Sequence, residues 1–371
     1  MAEPHLRTSA PLIVHVFPSF AVGGAQMRFA AIANRFGRAF RHIVVSLDGN
    51  WDCRARLDPE LDATFPEIVA PKGQMLANAR RFRAMLREWR PDTLVTGNWG
   101  SIEFAMANFP RIARHIHVVD GFGPEERATQ LTRRVWMLRL VLARSPVVLP
   151  SRNLVRIATD IWKLPTRNVI YVPNGIDLDR FAAPSRTDRT LPPVIGTVAG
   201  LRPEKNVGRL ISAFASIADR TPARLVVVGD GEERQALEQL AANRGIADRV
   251  TFTGNRTDTP DLYRDFDVFA LSSDTEQMPL SVIEAMASGL PVAATDVGDV
   301  RAMLAADNDN FVVPIDQDKL AEALLTLLND APARNRIGAA NLQKSRQTFH
   351  QEAMFQRYRA LWLGQSLEPA A

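Results

Sequence analysis

Two carboxylates eight positions apart, Glu276 and Glu284, stand in the run SSDTEQMPLSVIEAMASGLPVAATDVG. Pro279 suits the first position of a helix and Gly289 the stop, so the spacing predicts a short helix that carries Glu284 one to two turns in. The amides of Gln277, Met278, Leu280 and Ser281 then lie in or beside a helix N-terminus, without intrahelical carbonyls to bond. Unpaired amides and the helix dipole favour an anion such as a diphosphate. Glu284 is placed to accept from a pair of hydroxyls such as a ribose diol, and Glu276, in the preceding loop, from sugar hydroxyls. The chemistry these residue types suit is the gripping of a sugar nucleotide.

Other positions could join them. Gly23 and Gly24 fall between a first strand and a first helix, where bare backbone lets a ligand approach; packing explains such a pair equally well. Lys205, in GLRPEKNVGRL, stands at a predicted helix start, where a cation opposes the dipole and a ligand role accounts for the misfit. Gly229, Asp230 and Gly231, then Gly254 and Asn255, end strands where parallel sheets open ligand crevices; Thr295 ends another, with turn chemistry as the alternative. In HIHVVDGFGPEER, Asp120 follows a strand and precedes a glycine-rich turn, as either an acceptor-side carboxylate or a helix cap, with Glu126 and His117 as rivals. Asn98 and Trp99 could form a shelf for a sugar face, although Trp99 also fits a core. The triplets DFD, DLD and DND are loop or strand-edge strings, and no His or Cys cluster has ligand spacing, so no metal site is expected.

These residues need elements to hold them. Apolar strand-length runs (LIVHVF, RHIVVSL, DTLVTG, HIHVV, PVVLP, NVIYVP) alternate with helical patterns, and the pattern restarts with PVIGTVAG, ARLVVVGD, RVTFTG, DVFALS and PVAAT. That alternation predicts an α/β chain of two Rossmann-like, doubly wound parallel-sheet domains. The expected division is a first domain over 1–180, a linker over 181–192, a second domain over 193–348 and a terminal helical segment over 349–371. No internal repeat or low-complexity tract interrupts this pattern.

The chain has 371 residues, 46% of them hydrophobic, enough for two buried cores. Its one cysteine, Cys53, excludes an internal disulfide and fits a reducing cytosol. No apolar run approaches the roughly 18 to 20 residues that cross a bilayer, and LIVHVF reads as a first strand rather than a signal peptide. Residues 1–185 hold 25 Lys plus Arg against 16 Asp plus Glu, and the remainder 20 against 25, so the N-terminal half is the basic one. Its arginines cluster in ARRFRAMLREWR and LTRRVWMLRLVLAR; the latter either lies on anionic lipid or is a helix with a solvated face. Neither an interleaved stacking platform nor a recognised module supports binding to nucleic acid.

The donor run resembles the signature of the GT-B glycosyltransferases of family 4, a Glu, seven residues and a second Glu in a strand, loop and helix, and PNGID resembles that family's linker entrance. The resemblance covers nearly the whole chain. It implies two domains with a cleft between them, the donor in the second and the acceptor in the first, and a terminal helix returning to the first domain. It implies a retaining transfer without a cofactor, from a nucleotide sugar of UDP or GDP type to a glycan or lipid-linked acceptor, as in polysaccharide or lipopolysaccharide assembly at the cytoplasmic membrane face. Site roles follow from it: Gly24 near the donor phosphates or acceptor, Lys205 on the diphosphate, Gly254 and Asn255 at the nucleobase, and Asp120 on the acceptor hydroxyl. Glu276, Lys205 and Asp120 are the catalytic candidates. One departure stands out, since the family commonly has an arginine five residues before the lysine and this chain has Gly200, leaving Arg202 to reach the phosphates. The alternatives are a sugar-nucleotide epimerase or phosphorylase on the same fold, and a non-catalytic nucleotide-sugar-binding partner.

Overall fold

In a computed structural model of the chain, residues 9–68, 70–71, 73–122, 130–182, 192–256 and 258–367 are described. The chain divides into two units, Met1–Pro173 with Met354–Ala371, and Asn174–Ala353. The expected linker lies mostly outside the described residues, as does Glu126.

The first unit holds β1 (Leu12–Phe17), β2 (Arg41–Ser46), β3 (Ala63–Thr64), β4 (Thr93–Gly97), β5 (Arg114–Val118), β6 (Val147–Leu149) and β7 (Val169–Tyr171), in the order β3-β2-β1-β4-β5-β6-β7. The second holds β8 (Val194–Val198), β9 (Arg224–Val228), β10 (Val250–Gly254), β11 (Val268–Leu271), β12 (Val292–Thr295) and β13 (Val312–Val313), in the order β10-β9-β8-β11-β12-β13. Every pairing between these strands is parallel.

A parallel sheet is covered on both faces, which is why its strands are apolar throughout rather than alternating. The second unit shows this directly. Val268 and Ala270 of β11 enter one core with Leu210, Phe214 and Leu324, while Phe269 and Leu271 enter the other with Val282, Ile283 and Met286.

The first unit ends at Pro173 rather than 180, because Ile176, Leu178 and Phe181 pack into the second unit's core beside Tyr263. Its core is instead completed from the far end of the chain. The helix Gln351–Leu363 places Met354, Phe355, Tyr358, Leu361 and Trp362 on one stripe in the core with Phe29, Phe40 and Val44. Thr93 Oγ1 anchors that helix by donating to the Trp362 carbonyl at 2.9 Å.

In both sheets the strand order reverses at one place, β1 against β4 and β8 against β11. Loops leaving the carboxyl ends of strands diverge there and leave a crevice, which fixes where each unit can hold a ligand.

Candidate functional site

At the β8/β11 reversal, two loops are sewn together. The Asp274 amide donates to the Glu204 carbonyl at 2.9 Å, and Ser272 Oγ to the Lys205 carbonyl at 3.1 Å. Arg209 donates to the Ser272 carbonyl at 2.7 Å and pairs with Asp274 at 2.6 Å, and Asn206 Nδ2 reaches the same carboxylate at 3.2 Å. This seam brings Lys205 Nζ to within 2.6 Å of Glu276 Oε1, which also accepts from Ser273 Oγ at 2.8 Å. Thr295 Oγ1 pins the loop from beneath, donating to the Ser273 carbonyl at 2.6 Å.

Beyond Glu276 the chain enters the helix Leu280–Ala287, with Pro279 at its cap and no side chain capping it. The amides of Leu280 and Ser281 therefore have no intrahelical partner, four and five residues after Glu276. Gly298 supports this turn with a φ of +56° and such close approach that a Cβ there would lie 2.2 Å from the Glu276 carbonyl oxygen.

One and a half turns into the helix, Glu284 is partly exposed, and Glu284 Oε2 accepts from the hydroxyl of fully buried Tyr263 at 2.8 Å. Burial pushes the Glu284 carboxyl above its ordinary 4.5, while the Tyr263 hydrogen bond and the charge of Arg180 oppose the rise. Burial and the neighbouring carboxylate push the Tyr263 hydroxyl well above 10.0, so it remains a donor.

In the first unit, the β1/β4 reversal carries a different group. The helix Gly24–Phe36 starts after β1, and its Arg28 grips Asp120 by both carboxylate oxygens, at 2.5 and 2.9 Å. The guanidinium carbon lies 5.5 Å from the Tyr358 ring centroid. Burial, the largest influence, would lower the Arg28 pKa, but the charge of Asp120, the Tyr358 hydroxyl and the Asp120 hydrogen bond together outweigh it and hold the guanidinium above its usual value. Asn98, held at a φ of 53°, accepts from the Asp120 amide through its side-chain oxygen at 2.8 Å. A non-glycine residue in that region costs energy that the surroundings must supply, and it marks a position worth the strain. Arg28, Asn98, Asp120 and Tyr358 line a small cavity with Phe17 and Gln26.

Two family models divide the chain. Residues 22–180 match Glycosyltransferase Family 4, and residues 181–344 match Glycosyl transferases group 1. This chain belongs to the GT-B glycosyltransferases of family 4. A GDP-mannose-dependent alpha-mannosyltransferase of Mycobacterium tuberculosis is 29% identical over 72% of this chain and 71% of its own. A galactosyltransferase of Escherichia coli, named for UDP-Gal and an alpha-D-GlcNAc-diphosphoundecaprenol acceptor, is 26% identical over 63% of this chain and 64% of its own. Alignments with the curated relatives span from 44% to 71% of those proteins' lengths. Among solved structures, the Anabaena protein HepE in complex with UDP-glucose superposes with a TM-score of 0.79 at 19% identity, over 95% of this chain and 99% of that one, a likeness of fold.

In this family member, the structure gathers Lys205, Glu276, Gln277, Pro279, Leu280 and Glu284 at the β8/β11 reversal of the second unit. Beside the amide named above, the Met278 side chain is buried and its carbonyl accepts from Asn174 Nδ2 at 3.0 Å, a structural tie. Lys205 sits in a 3-10 turn, Pro203–Lys205, ahead of a helix capped by Asn206, so its position does not oppose a helix dipole as the sequence suggested. Arg202 pairs with Glu204 at 3.0 Å and is mostly exposed. A Cβ at Gly200 would lie 3.6 Å from Arg202 Nε, so the guanidinium stem occupies space next to the missing side chain. The Gly254 carbonyl accepts from the Gly229 amide at 3.0 Å, and Asn255 is exposed. Thr295, fully buried, belongs to the support rather than the pocket wall.

In the first unit, Gly24 opens the first helix and Asn98 and Asp120 meet as described. His117 does not join them. It is fully buried, bonded through Nδ1 to Thr96 Oγ1 at 2.7 Å, and burial with neighbouring His115 pushes its pKa down to about 3. As the fourth residue of β5 it points into the sheet's packing, whereas Asp120 lies past the strand end. Trp99 is partly buried against the core around Leu138 and Trp162, with Arg134 5.0 Å above its ring. Arg28, Tyr358, Tyr263 and Asp274 escaped the sequence reading because each acts across a long stretch of chain. Among the described residues, no group of three or more His, Cys, Asp or Glu side chains could hold a metal ion.

Proposed function

We propose that the protein is a retaining, metal-independent glycosyltransferase moving a sugar from a nucleoside diphosphate sugar, of UDP or GDP type, to a hydroxyl of a glycan or lipid-linked acceptor. The observation that carries this reading is the Lys205–Glu276 pair at 2.6 Å, set beside an uncapped helix N-terminus that holds Glu284 within its second turn. Lysine and amides together stabilise a diphosphate that gains charge as the glycosidic bond breaks, which replaces the neutralisation a divalent cation would otherwise give. Glu284 takes the ribose diol and Glu276 the sugar hydroxyls. No cofactor is required beyond the nucleotide sugar itself.

Asp120 is a positioning residue in this scheme. Both of its carboxylate oxygens are engaged by the Arg28 guanidinium, which fixes the group in place to orient an acceptor hydroxyl. The acceptor oxygen attacks the anomeric carbon from the face the diphosphate leaves, and its proton passes to the departing phosphate oxygen. The mycobacterial and Escherichia coli relatives, named for GDP-mannose and for a lipid diphosphate acceptor, support the donor and acceptor classes. The arginine surplus of residues 1–185 supports work on the cytoplasmic side of a membrane, with the protein bound peripherally.

Thermal melts with UDP, GDP and their sugars test the donor side, since a ligand bound only by the folded state raises the midpoint. Glu284→Ala should remove the shift that the preferred nucleotide gives. Transfer that stops on addition of a strong chelator would overturn the metal-independent scheme, and an inverted product would overturn the retaining one.

A further inference from the structure

The first unit carries an open groove of about 990 Å³ that the proposed reaction does not use. It lies at the amino ends of β5, β6 and β7, where Arg114 opens β5, Pro146 precedes β6 and Arg167 precedes β7. Asp120 lies past the carboxyl end of β5, so the groove is at the opposite end of the sheet from the site described above.

Its chemistry is one-sided. Arg111, Arg114, Arg144 and Arg167 line it, and none of the described residues that line it is Asp or Glu. Arg114 is committed to structure, donating to the Leu363 carbonyl at 2.9 Å and to Trp362 at 3.2 Å. Arg111, Arg144 and Arg167 are exposed. Beside them stand large apolar side chains in water: Phe109 at 75% and Leu140 at 71% exposure line the groove, and Trp136, one turn from Leu140 on the same helix face, is 57% exposed.

This exposure is built in. Asn108 is buried and staples the loop, donating to the Ala113 carbonyl at 3.0 Å and accepting from the amides of Ile112 and Ala113, both at 3.0 Å. Arg83 ties the other side through the carbonyls of Ala107 and Pro110, at 2.8 and 3.0 Å. Two sets of hydrogen bonds thus hold a phenyl ring outward. The nearby ends of the helices Ile102–Ala107 and Thr132–Leu142 account for cations at this place, through the negative end of their dipoles. They do not account for Phe109, Leu140 and Trp136. A free small anion would satisfy the arginines and leave those three in water. A charged headgroup on an apolar chain satisfies both, with tryptophan at the boundary.

We propose that this groove docks the phosphate headgroup of an anionic membrane lipid, with Arg111, Arg144 and Arg167 on the phosphate and Phe109, Leu140 and Trp136 at the acyl boundary. The inference rests on the membrane-bound reading above and names the face that binds. Flotation of the full chain with phosphatidylcholine vesicles, with and without phosphatidylglycerol, at low salt tests it. Binding should require the anionic lipid. Arg144→Gln with Arg167→Gln should weaken it roughly 25-fold, about fivefold for each charge removed. Phe109→Ser with Leu140→Ser should weaken it further at raised salt, where the charge term is screened. Tryptophan fluorescence, which reports only the first unit, checks that the variants are folded. Wild-type binding that all four substitutions leave unchanged would overturn the groove and spare the membrane reading. Absence of wild-type binding would overturn both and leave the transferase reading untouched. Binding of inorganic phosphate or duplex DNA that is lost in the arginine variants, with vesicle binding intact, would make the groove a site for those anions and overturn the lipid assignment.

Discussion

The first unit buries His15, His42, His115 and His117 in and around its sheet, whereas in the second the one histidine, His350, is exposed. The second unit packs its sheet with Val, Leu, Ile, Ala and Phe and keeps its charged groups at the strand ends. The first threads polar side chains through its interior: His15 Nε2 meets His42 Nδ1 at 3.2 Å, and Thr96 Oγ1 lies 2.8 Å from His115 and 2.7 Å from His117. All six tryptophans are in the first unit as well. Equal topology therefore does not mean equal response. The second unit has an inert frame under a charged rim, while in the first protonation reaches the frame itself.

The largest effect that separates the units is acid lability. Burial pushes His42 and His115 down to about 4 and His117 to about 3, and His15 well below 6.5. The folded state then binds fewer protons than the unfolded chain, so the stability is present above the unfolded value near 6.5 and lost as pH falls towards the folded values. At pH 5 His42, His115 and His117 each withdraw about 2 kcal/mol, and the three together on the order of 6, comparable with the whole stability of a domain, with His15 acting in the same direction. Tryptophan emission should therefore collapse near pH 5 while much of the far-ultraviolet dichroism persists. Coincident loss of both signals would mean that the two units unfold as one.

Next in size is the donor rim. Lys205→Ala should lower kcat about 10²- to 10³-fold, the usual cost of losing one preorganised donor to a developing charge, and Glu276→Ala should do no less. Neither should move the tryptophan-monitored acid transition, because both residues belong to the other unit. A loss of transfer below tenfold for Lys205→Ala would remove it from the phosphate.

These two rims also differ in how far the sequence revealed them. Glu276, Pro279, Glu284 and Gly289 lie within one strand, loop and helix, so local spacing sufficed to find them, and the alternation of apolar runs disclosed eleven of the thirteen strands among the described residues. The two it missed, β3 and β13, are two-residue strands at sheet edges, too short to carry a period. Lys205 could be picked out but not paired, since its partner is 71 positions away. Asp120 was found, but its meaning depends on Arg28, 92 positions distant, and on Tyr358 from the end of the chain. Arg28 reads locally as one more polar residue in an amphipathic helix. His117 misled for the same reason, because burial depends on which strands flank β5.

The Arg28–Asp120 pair offers a middle-sized test of that long-range wiring. Arg28→Ala strips the partner from a mostly buried carboxylate, which costs about 3 kcal/mol of first-unit stability, seen as a lowered tryptophan-monitored melt. Asp120→Asn should keep more of the fold and reduce transfer roughly 10- to 100-fold through misplacement of the acceptor, with the nucleotide-induced melting shift unchanged. A diminished nucleotide shift in Asp120→Asn would end the division of labour between the units.

The smallest effect sharpens the comparison from the donor side, where one buried hydroxyl does touch a functional group. Tyr263→Phe keeps the ring that packs against Phe181, Phe266 and Phe269 but deletes the hydrogen bond to Glu284. Losing a hydrogen bond to a charged group costs about 1.5 kcal/mol, so nucleotide affinity should fall about tenfold. That hydrogen bond also opposes the upward push of burial on the Glu284 carboxyl. Without it the carboxyl should protonate at a higher pH, and a protonated Glu284 is a weaker acceptor for a diol. Calorimetric titration of the nucleotide should therefore show its acid limb displaced to higher pH in Tyr263→Phe than in wild type. An unshifted limb with the same tenfold loss would assign the effect to packing, and would leave the second unit with no buried group coupled to its chemistry.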